Sequence, residues 1–145
     1  KAPAFIPAKA KHMIRDCKLI AEDKGIKFKF NSYFPIRTLN LMRGVLVAEE
    51  DNFKSYYIDN IFNSIWRDGL NMNDENIIQK ILKNLNVNPK TFALRATSSL
   101  IKDTLKKKTN EAYEKGVFGA PTFIVNNKIF WGQDRIEFVL KEAGK

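Results

Sequence analysis

The residues that could do chemistry are concentrated in the stretch GVFGAPTFIVNNKIFWGQDR, at positions 116–135. Its Ala120-Pro121 bond stands directly before an apolar run. An X-Pro bond can be cis at small cost, and proline has no N–H to give to a sheet. A cis bond would leave the N–H and C=O of Ala120 facing outward, where an extended peptide could bind along the backbone. The alternative is an ordinary tight turn.

Gln133 and Asp134 end the same stretch, at the expected start of the last helix. A helix start offers free N–H groups and the positive end of the helix dipole to a carboxylate. The side chain of Asp134 could pair with an ammonium group. Together these groups could bind both charges of a free amino acid, although Asp134 could equally be a simple helix cap.

The elements before this stretch are predicted to be helical. Pro7 and Gly25 bracket a first helix over residues 7–24, since proline favours the first turn and glycine follows the end. Apolar residues at helical spacing, among them Leu39 and Met42, predict a second helix from residue 39. The same kind of spacing predicts a third helix from about residue 51 to Gly69.

Two more helices follow. Asn73 is the expected cap of the fourth, and Asn88 and Pro89 are the expected cap and first residue of the fifth. The fifth is expected to run to residue 115 with a break near Thr109.

The end of the chain changes to strands. TFIV at 122–125 and KIFW at 128–131 flank Asn126-Asn127, which suits a hairpin turn because Asn tolerates positive φ. A helix from about Gln133 is expected to bury Ile136, Val139, Leu140 and Ala143. A two-stranded hairpin alone is marginal in water, so further sheet neighbours are expected upstream of Lys1.

Composition limits the class of protein. The 145 residues suit one globular domain, and the 44% apolar content contains no run of about 20 apolar residues. The net charge of +9 comes from lysines and arginines spread along the chain, so we expect no nucleic-acid or membrane partner. The single Cys17 excludes an internal disulfide and a cysteine metal cluster, favours a cytoplasmic location, and is expected to be a small buried residue. We predict no metal site.

Residues 116–135 resemble the C-terminal signature of the 2-hydroxychromene-2-carboxylate isomerases and the kappa-class glutathione transferases. KAPAFIPAKAKHMIRD at 1–16 and SIWRDGLNMND at 64–74 resemble other parts of that family. The resemblance implies an α/β, thioredoxin-like (Dsb-type) fold with an all-helical insertion. Residues 1–115 would be mainly the helical insertion region, and 116–145 the C-terminal ββα half, with the first βαβ part not present.

The resemblance also implies roles in glutathione binding. Ala120 and Pro121 would bind the cysteinyl part through the backbone, Gln133 and Asp134 the γ-glutamyl end, and Lys9 the glycyl carboxylate. A thiol-activating serine and a glutathione-binding asparagine would lie upstream of Lys1, so no residue of this chain is assigned as catalytic. Glutathione would be the cofactor, and the family implies a homodimer.

The implied activity is glutathione-dependent isomerisation of a small aromatic carboxylate, or glutathione transfer. Phe34, Trp66 and Trp131 are candidates to wall the aromatic substrate, although such residues are more often plain core. A Dsb-type thiol-disulfide oxidoreductase and a non-catalytic peptide-binding module are the alternatives.

Overall fold

A computed structural model describes residues 6–145. These residues form helices α1–α7, strands β1 and β2 and one 3₁₀ turn. In chain order they are α1 (Pro7–Asp23), α2 (Leu39–Glu50), α3 (Lys54–Trp66), α4 (Glu75–Asn84), α5 (Pro89–Ala96), α6 (Ser99–Glu114), β1 (Thr122–Val125), β2 (Lys128–Trp131), the 3₁₀ turn (Gln133–Arg135) and α7 (Ile136–Ala143). The chain divides into two compact units, Lys1–Ile101 and Lys102–Lys145. The predicted boundary between residues 115 and 116 stays a prediction.

The first unit is built on α2, which packs against α3 and α5. Tyr57 of α3 lies at the centre of this core, 1% exposed, with its ring centroid 5.5 Å from that of Phe92. Its hydroxyl donates a hydrogen bond to the carbonyl of Leu41 (3.2 Å), and burial raises the pKa of Tyr57 well above its usual range. Gly44 lies directly against the Tyr57 ring, where any side chain would clash. This small residue is therefore what lets α2 approach α3 closely.

A segment without regular structure, residues 26–38, is held against the end of α3 by a buried amide; we call it the asparagine-anchored loop. Asn31 is fully buried, and its Nδ2 donates to the carbonyls of Ile65 (3.0 Å) and Leu70 (2.9 Å). Its Oδ1 accepts from the N–H of Tyr33 at 2.8 Å. One side chain thus pairs the carbonyl of Ile65 and the N–H of Tyr33, which have no other partner within residues 6–145. It also adds a second bond to the carbonyl of Leu70, which accepts from the N–H of Met72 at 3.0 Å.

Several predicted helix boundaries need correction. The fourth helix is capped by Asp74 rather than Asn73, because it starts at Glu75 and the Asp74 carboxylate accepts from the N–H of Asn76 (2.9 Å). The break expected near Thr109 lies at residues 97–98 instead. Ser98 accepts from the N–H of Ile101 there (3.3 Å), whereas the Thr109 hydroxyl bonds to the carbonyl four residues back and stays within α6.

Other boundaries are confirmed. The first helix ends at Asp23, with Gly25 at positive φ, and Asn88 caps α5 with Pro89 at its first position. Cys17, expected to be buried, is exposed: it lies on the same face of α1 as Ala21, but burial on that face is reached only one turn later, at Ala21.

The second unit contains the predicted hairpin. β1 and β2 pair antiparallel with Thr122 opposite Trp131 and Val125 opposite Lys128, and both turn asparagines have positive φ. Within residues 6–145 these are the strands of the fold, and no helix there is long and apolar enough to cross a membrane.

The prediction of which residues the last helix buries is wrong. Ile136 is 45% and Leu140 66% exposed, and a 3₁₀ turn precedes the helix. Instead α7, which contacts β1, buries Glu142, which is 8% exposed. The carboxylate accepts from Lys145 and Lys128, each at 2.9 Å, and these bonds outweigh burial and lower the pKa of Glu142 from 4.5 to about 2.

The anchoring of residues 26–38 can be tested with Asn31→Ala. Removal of the amide leaves the carbonyl of Ile65 and the N–H of Tyr33 without a partner within residues 6–145, and leaves the carbonyl of Leu70 with one bond instead of two. We expect a loss of roughly 1–3 kcal/mol in the free energy of unfolding. Urea denaturation followed by circular dichroism measures it. Asn76→Ala, at an exposed position of α4, is the matched control and should change stability by less than about 0.5 kcal/mol. Equal losses in the two variants would contradict the anchoring role.

Glu142 predicts a pH dependence. Because its folded-state pKa is depressed, its contribution to stability is present above pH 4.5 and is lost as pH falls toward about 2. Glu142→Gln should remove this part of the acid sensitivity, while Glu137→Gln, elsewhere on α7, should keep it. Thermal unfolding measured at several pH values within that window checks the difference. The same acid sensitivity in Glu142→Gln as in the parent protein would show that the carboxylate is not responsible.

Candidate functional site

The predicted backbone edge lies where the second unit enters β1. The Ala120-Pro121 bond is cis, as predicted. Ala120 is exposed, and within residues 6–145 no group forms a hydrogen bond with its N–H or C=O. The flanking backbone is already fixed, because the Thr122 hydroxyl donates to the carbonyl of Gly119 at 2.5 Å. Ala120 therefore offers a backbone donor and a backbone acceptor, neither of which is paired within residues 6–145, and the Thr122–Gly119 bond fixes the backbone around them.

A backbone hydrogen bond brings the polar pair to the same end of the hairpin. The N–H of Gly132 donates to the carbonyl of Pro121 at 3.0 Å, directly beyond the last strand pair. Ala120, which precedes β1, and Gln133, which follows β2, are the next residues beyond this bond. The structure thus brings together Ala120, Pro121, Gln133 and Asp134, which the sequence predicted as one site.

Gly132 makes the corner between β2 and the 3₁₀ turn. Its φ is +104°, in the region that disfavours a side chain. A Cβ there would lie 2.5 Å from Oδ1 of Asp134. The glycine therefore both turns the chain and leaves space for the Asp134 carboxylate.

Asp134 is available to a ligand. It pairs with Arg135 at 2.8 Å, and the two side chains are 60% and 51% exposed. An ion pair this exposed contributes little, about 0–1 kcal/mol, so an incoming ammonium group can compete for the carboxylate. The simple capping role is not seen, because no side-chain bond caps the 3₁₀ turn or α7.

An aromatic platform lies beside Ala120, and only part of it was predicted. The Trp131 indole covers Gly119, whose Cβ would lie 2.5 Å from the indole nitrogen. Phe118, which the sequence analysis missed, has its ring centroid 5.3 Å from that of Trp131 and is 73% exposed. The sequence did contain a signal for Phe118: it is an aromatic residue between Gly116 and Gly119, in a loop where no buried partner was predicted.

The remaining predicted residues belong to the first unit. Lys9 lies in the first turn of α1 and is exposed, with no ion-pair partner among residues 6–145. Phe34 and Trp66 lie together, with ring centroids 6.2 Å apart. Trp131, the third candidate wall residue, belongs to the other unit. The role of Lys9 in binding a carboxylate stays a prediction.

Comparisons with known proteins identify the family and the fold of the chain. The family model described as a DSBA-like thioredoxin domain matches residues 1–143. The chain therefore belongs to the DsbA-like thioredoxin domain family, and the predicted α/β fold class with its helical part is confirmed.

The relatives that this chain matches are named 2-hydroxychromene-2-carboxylate isomerase. The chain is 25% identical over 131 residues to the 2-hydroxychromene-2-carboxylate isomerase of Sphingobium xenophagum, covering 90% of this chain and 66% of that protein. It is also 25% identical over 128 residues to the isomerase of that name from Pseudomonas putida, covering 88% of this chain and 62% of that protein. The chain thus spans about two thirds of the length of these relatives.

A solved structure shows the same fold. The structure of selenomethionine 2-hydroxychromene-2-carboxylate isomerase matches 99% of this chain and 70% of that chain, with a TM-score of 0.89 at 20% sequence identity. The resemblance read from the sequence is confirmed in the family, the fold and the names of the relatives.

The corner glycine provides a test of the site's geometry. Gly132→Ala forces a side chain into positive φ and against Asp134, so we expect a loss of about 1–3 kcal/mol in unfolding free energy. Gly144→Ala is the matched control: its φ is −87° and its Cβ would meet its nearest atom at an ordinary 3.6 Å. Urea denaturation of both variants measures the difference. A Gly132→Ala variant as stable as Gly144→Ala would contradict the strained corner.

Proposed function

We propose that the protein is a glutathione-dependent isomerase of the 2-hydroxychromene-2-carboxylate type. The observation that supports this most directly is the exposed, unpaired backbone of Ala120 beside Gln133 and Asp134. Relatives named as isomerases of this type support the reaction class. Glutathione transfer of the kappa-class type is the alternative outcome at the same site.

The residues present fit glutathione by their chemistry. A peptide needs one acceptor and one donor from an extended backbone, and both groups of Ala120 are without a partner among residues 6–145. The γ-glutamyl end of glutathione carries an ammonium and a carboxylate. The Asp134 carboxylate suits the first of these, and the N–H groups at the start of the 3₁₀ turn suit the second. Lys9 is our candidate for the glycyl carboxylate.

The chain's own part in the reaction is to bind and orient. When bound, glutathione would supply a thiol, whose thiolate form is a nucleophile toward a conjugated aromatic carboxylate. Ala120 would fix the cysteinyl unit, Asp134 would hold the amino end, and Phe118 with Trp131 would limit water on one side. A homodimer and a cytoplasmic location remain expectations from the sequence.

A second candidate is favoured by the family match itself. The family model is that of DsbA-like thioredoxin domains, and the same free edge at Ala120 suits an extended peptide. A Dsb-type oxidoreductase would catalyse disulfide reduction in a protein such as insulin. Insulin reduction without isomerase activity in the full-length protein would favour this candidate.

Asp134→Ala tests the proposal. We expect the full-length variant to lose retention on glutathione-agarose by roughly tenfold or more, since a hydrogen bond to a charged group contributes about 1.5–3 kcal/mol. Asp103→Ala, which removes an exposed carboxylate from α6, is the matched control and should be retained like the parent protein. Unchanged retention of Asp134→Ala would remove the support for this binding mode.

A further inference from the structure

The first unit contains a cavity of about 260 Å³ between α2, α4 and α5. The side chains of its inner wall are largely apolar and are buried, with exposed fractions between 1% and 6%: Leu41, Tyr57, Leu82, Phe92 and Ala96. An apolar group that enters the cavity is therefore removed from water on this side, and that transfer favours binding.

The wall that α4 contributes is a single stripe of side chains. Ile78, Gln79 and Leu82 follow Glu75 at the i+3, i+4 and i+7 spacing that places side chains on one face of a helix. With a rise of about 1.5 Å per residue, this stripe spans about 10 Å along the helix axis. The cavity is therefore long enough for an extended ligand.

The contacts that the cavity offers to a ligand are mainly aliphatic. The rings of Tyr57 and Phe92 are paired with each other, with centroids 5.5 Å apart, and Phe53 pairs with both. Ile78 and Ala93 contribute aliphatic groups from α4 and α5. An extended aliphatic chain therefore suits this space.

Contacts outside the cavity fix its walls. Arg95 of α5 donates to the carboxylates of Glu50 (2.7 Å) and Asp51 (2.5 Å) at the end of α2. At the corner between α4 and α5, the N–H of Val87 donates to the carbonyl of Leu82 at 2.9 Å. The three helices that form the cavity are therefore joined by polar contacts, and the space between them is preformed.

A cation lies at the corner end of the cavity. The side chain of Lys90 lines the cavity and has no ion-pair partner among residues 6–145. The side chain of Asn88 accepts from the N–H of Lys90 at 3.0 Å and so fixes the backbone from which the lysine extends. No acidic residue lies in the first turn of α5 to offset this charge. An unpaired ammonium beside an apolar space favours a ligand with an anionic head and an apolar chain.

The acidic residue of the lining lies at the other end of the cavity. Glu75 is the first residue of α4, whereas Lys90 follows the corner at the far end of that helix. The positive end of the helix dipole stabilises a carboxylate at the position of Glu75. This carboxylate is thus stabilised by its own helix, and a ligand needs a charge only at the Lys90 end.

We propose that this cavity binds an aliphatic monocarboxylate of about eight carbons, with its carboxylate at Lys90 and its chain between α4 and α5. The volume carries the size argument: an apolar cavity of about 150 Å³ binds benzene, which has six carbons, so 260 Å³ holds roughly eight to ten. The inference does not depend on the proposed function, because Lys90 belongs to the first unit whereas Ala120 and Asp134 belong to the second.

Octanoate is the probe that tests this site. In full-length protein with ¹³C-labelled isoleucine methyl groups, octanoate should shift the signal of Ile78 in a saturable way. The signal of Ile58, which lies on α3 and does not line this cavity, should stay unchanged. Ile78→Val and Ile58→Val assign the two signals. A shift of the Ile58 signal alone, or no saturable shift of either signal, would overturn the proposal.

Two analogues test the chemical class of the ligand, with affinities measured by isothermal titration calorimetry. Octylamine has the same chain with the opposite charge, and 2-naphthoate carries a carboxylate on a flat ring system. Each should bind at least fivefold more weakly than octanoate, because the first places a cation at Lys90 and the second lacks the aliphatic chain. Equal or tighter binding of octylamine would contradict the anionic head, and equal or tighter binding of 2-naphthoate would contradict the aliphatic chain.

A charge variant locates the head group. Lys90→Gln should weaken octanoate binding about threefold to fivefold, since an ion pair at an exposed position contributes modestly. Lys80→Gln, which removes an exposed lysine of α4 outside the lining, is the matched control and should leave binding unchanged. Equal effects of the two variants would overturn the role of Lys90.

A cavity-filling variant locates the chain. Ala93→Phe places a ring into the cavity from α5 and should weaken octanoate binding at least tenfold. Leu94→Phe, at the neighbouring position that is 73% exposed and outside the lining, should leave binding unchanged. Circular dichroism shows whether each variant is folded. Undiminished binding in folded Ala93→Phe would overturn the assignment.

Discussion

One backbone hydrogen bond, from the N–H of Gly132 to the carbonyl of Pro121, determines which residues can act together in the second unit. It extends the hairpin one step past the pairing of Thr122 with Trp131. The residues just beyond are Ala120, whose backbone has no partner in the part of the chain that the structure describes, and Gln133 and Asp134, with polar side chains. Without this bond, no contact would hold the backbone of Ala120, before β1, close to the carboxylate of Asp134, after β2. The binding chemistry that we propose therefore depends on hairpin register more than on any single side chain.

The first unit depends on a comparable polar constraint. Asn31 is fully buried and pairs three backbone groups of residues that are otherwise far apart in sequence. Burial of an unpaired amide would cost free energy, so the loop is stable in the conformation in which the Asn31 amide has its hydrogen-bond partners. That conformation sets Phe34 against Trp66, two of the residues predicted to wall the aromatic substrate. In both units polar backbone pairing positions the apolar and charged groups that would contact a ligand.

Much of this could be predicted from the sequence because the signals were local. Pro7, Asn88 with Pro89, and the Asn126-Asn127 turn act through backbone preferences of the residues themselves. The starts of the two helices and the position of the turn were therefore predicted correctly. The inner face of α7 was not. Its helical spacing suggested burial of Leu140, whereas α7 buries Glu142, whose carboxylate pairs with Lys128 only when the hairpin brings that lysine close. The roles of Asn31 and Asn73 depended likewise on residues more than 30 positions away, which no local pattern shows. Phe118 lacked any periodic signal because it lies in a loop.

The most direct measurement of the central claim is a crystal structure of the full-length protein soaked with glutathione. We expect the cysteinyl unit to lie along Ala120 with hydrogen bonds to its N–H and C=O, and the amino end to lie within ion-pair distance of Asp134. Glutathione bound with Ala120 uncontacted, or with its amino end away from Asp134, would contradict it.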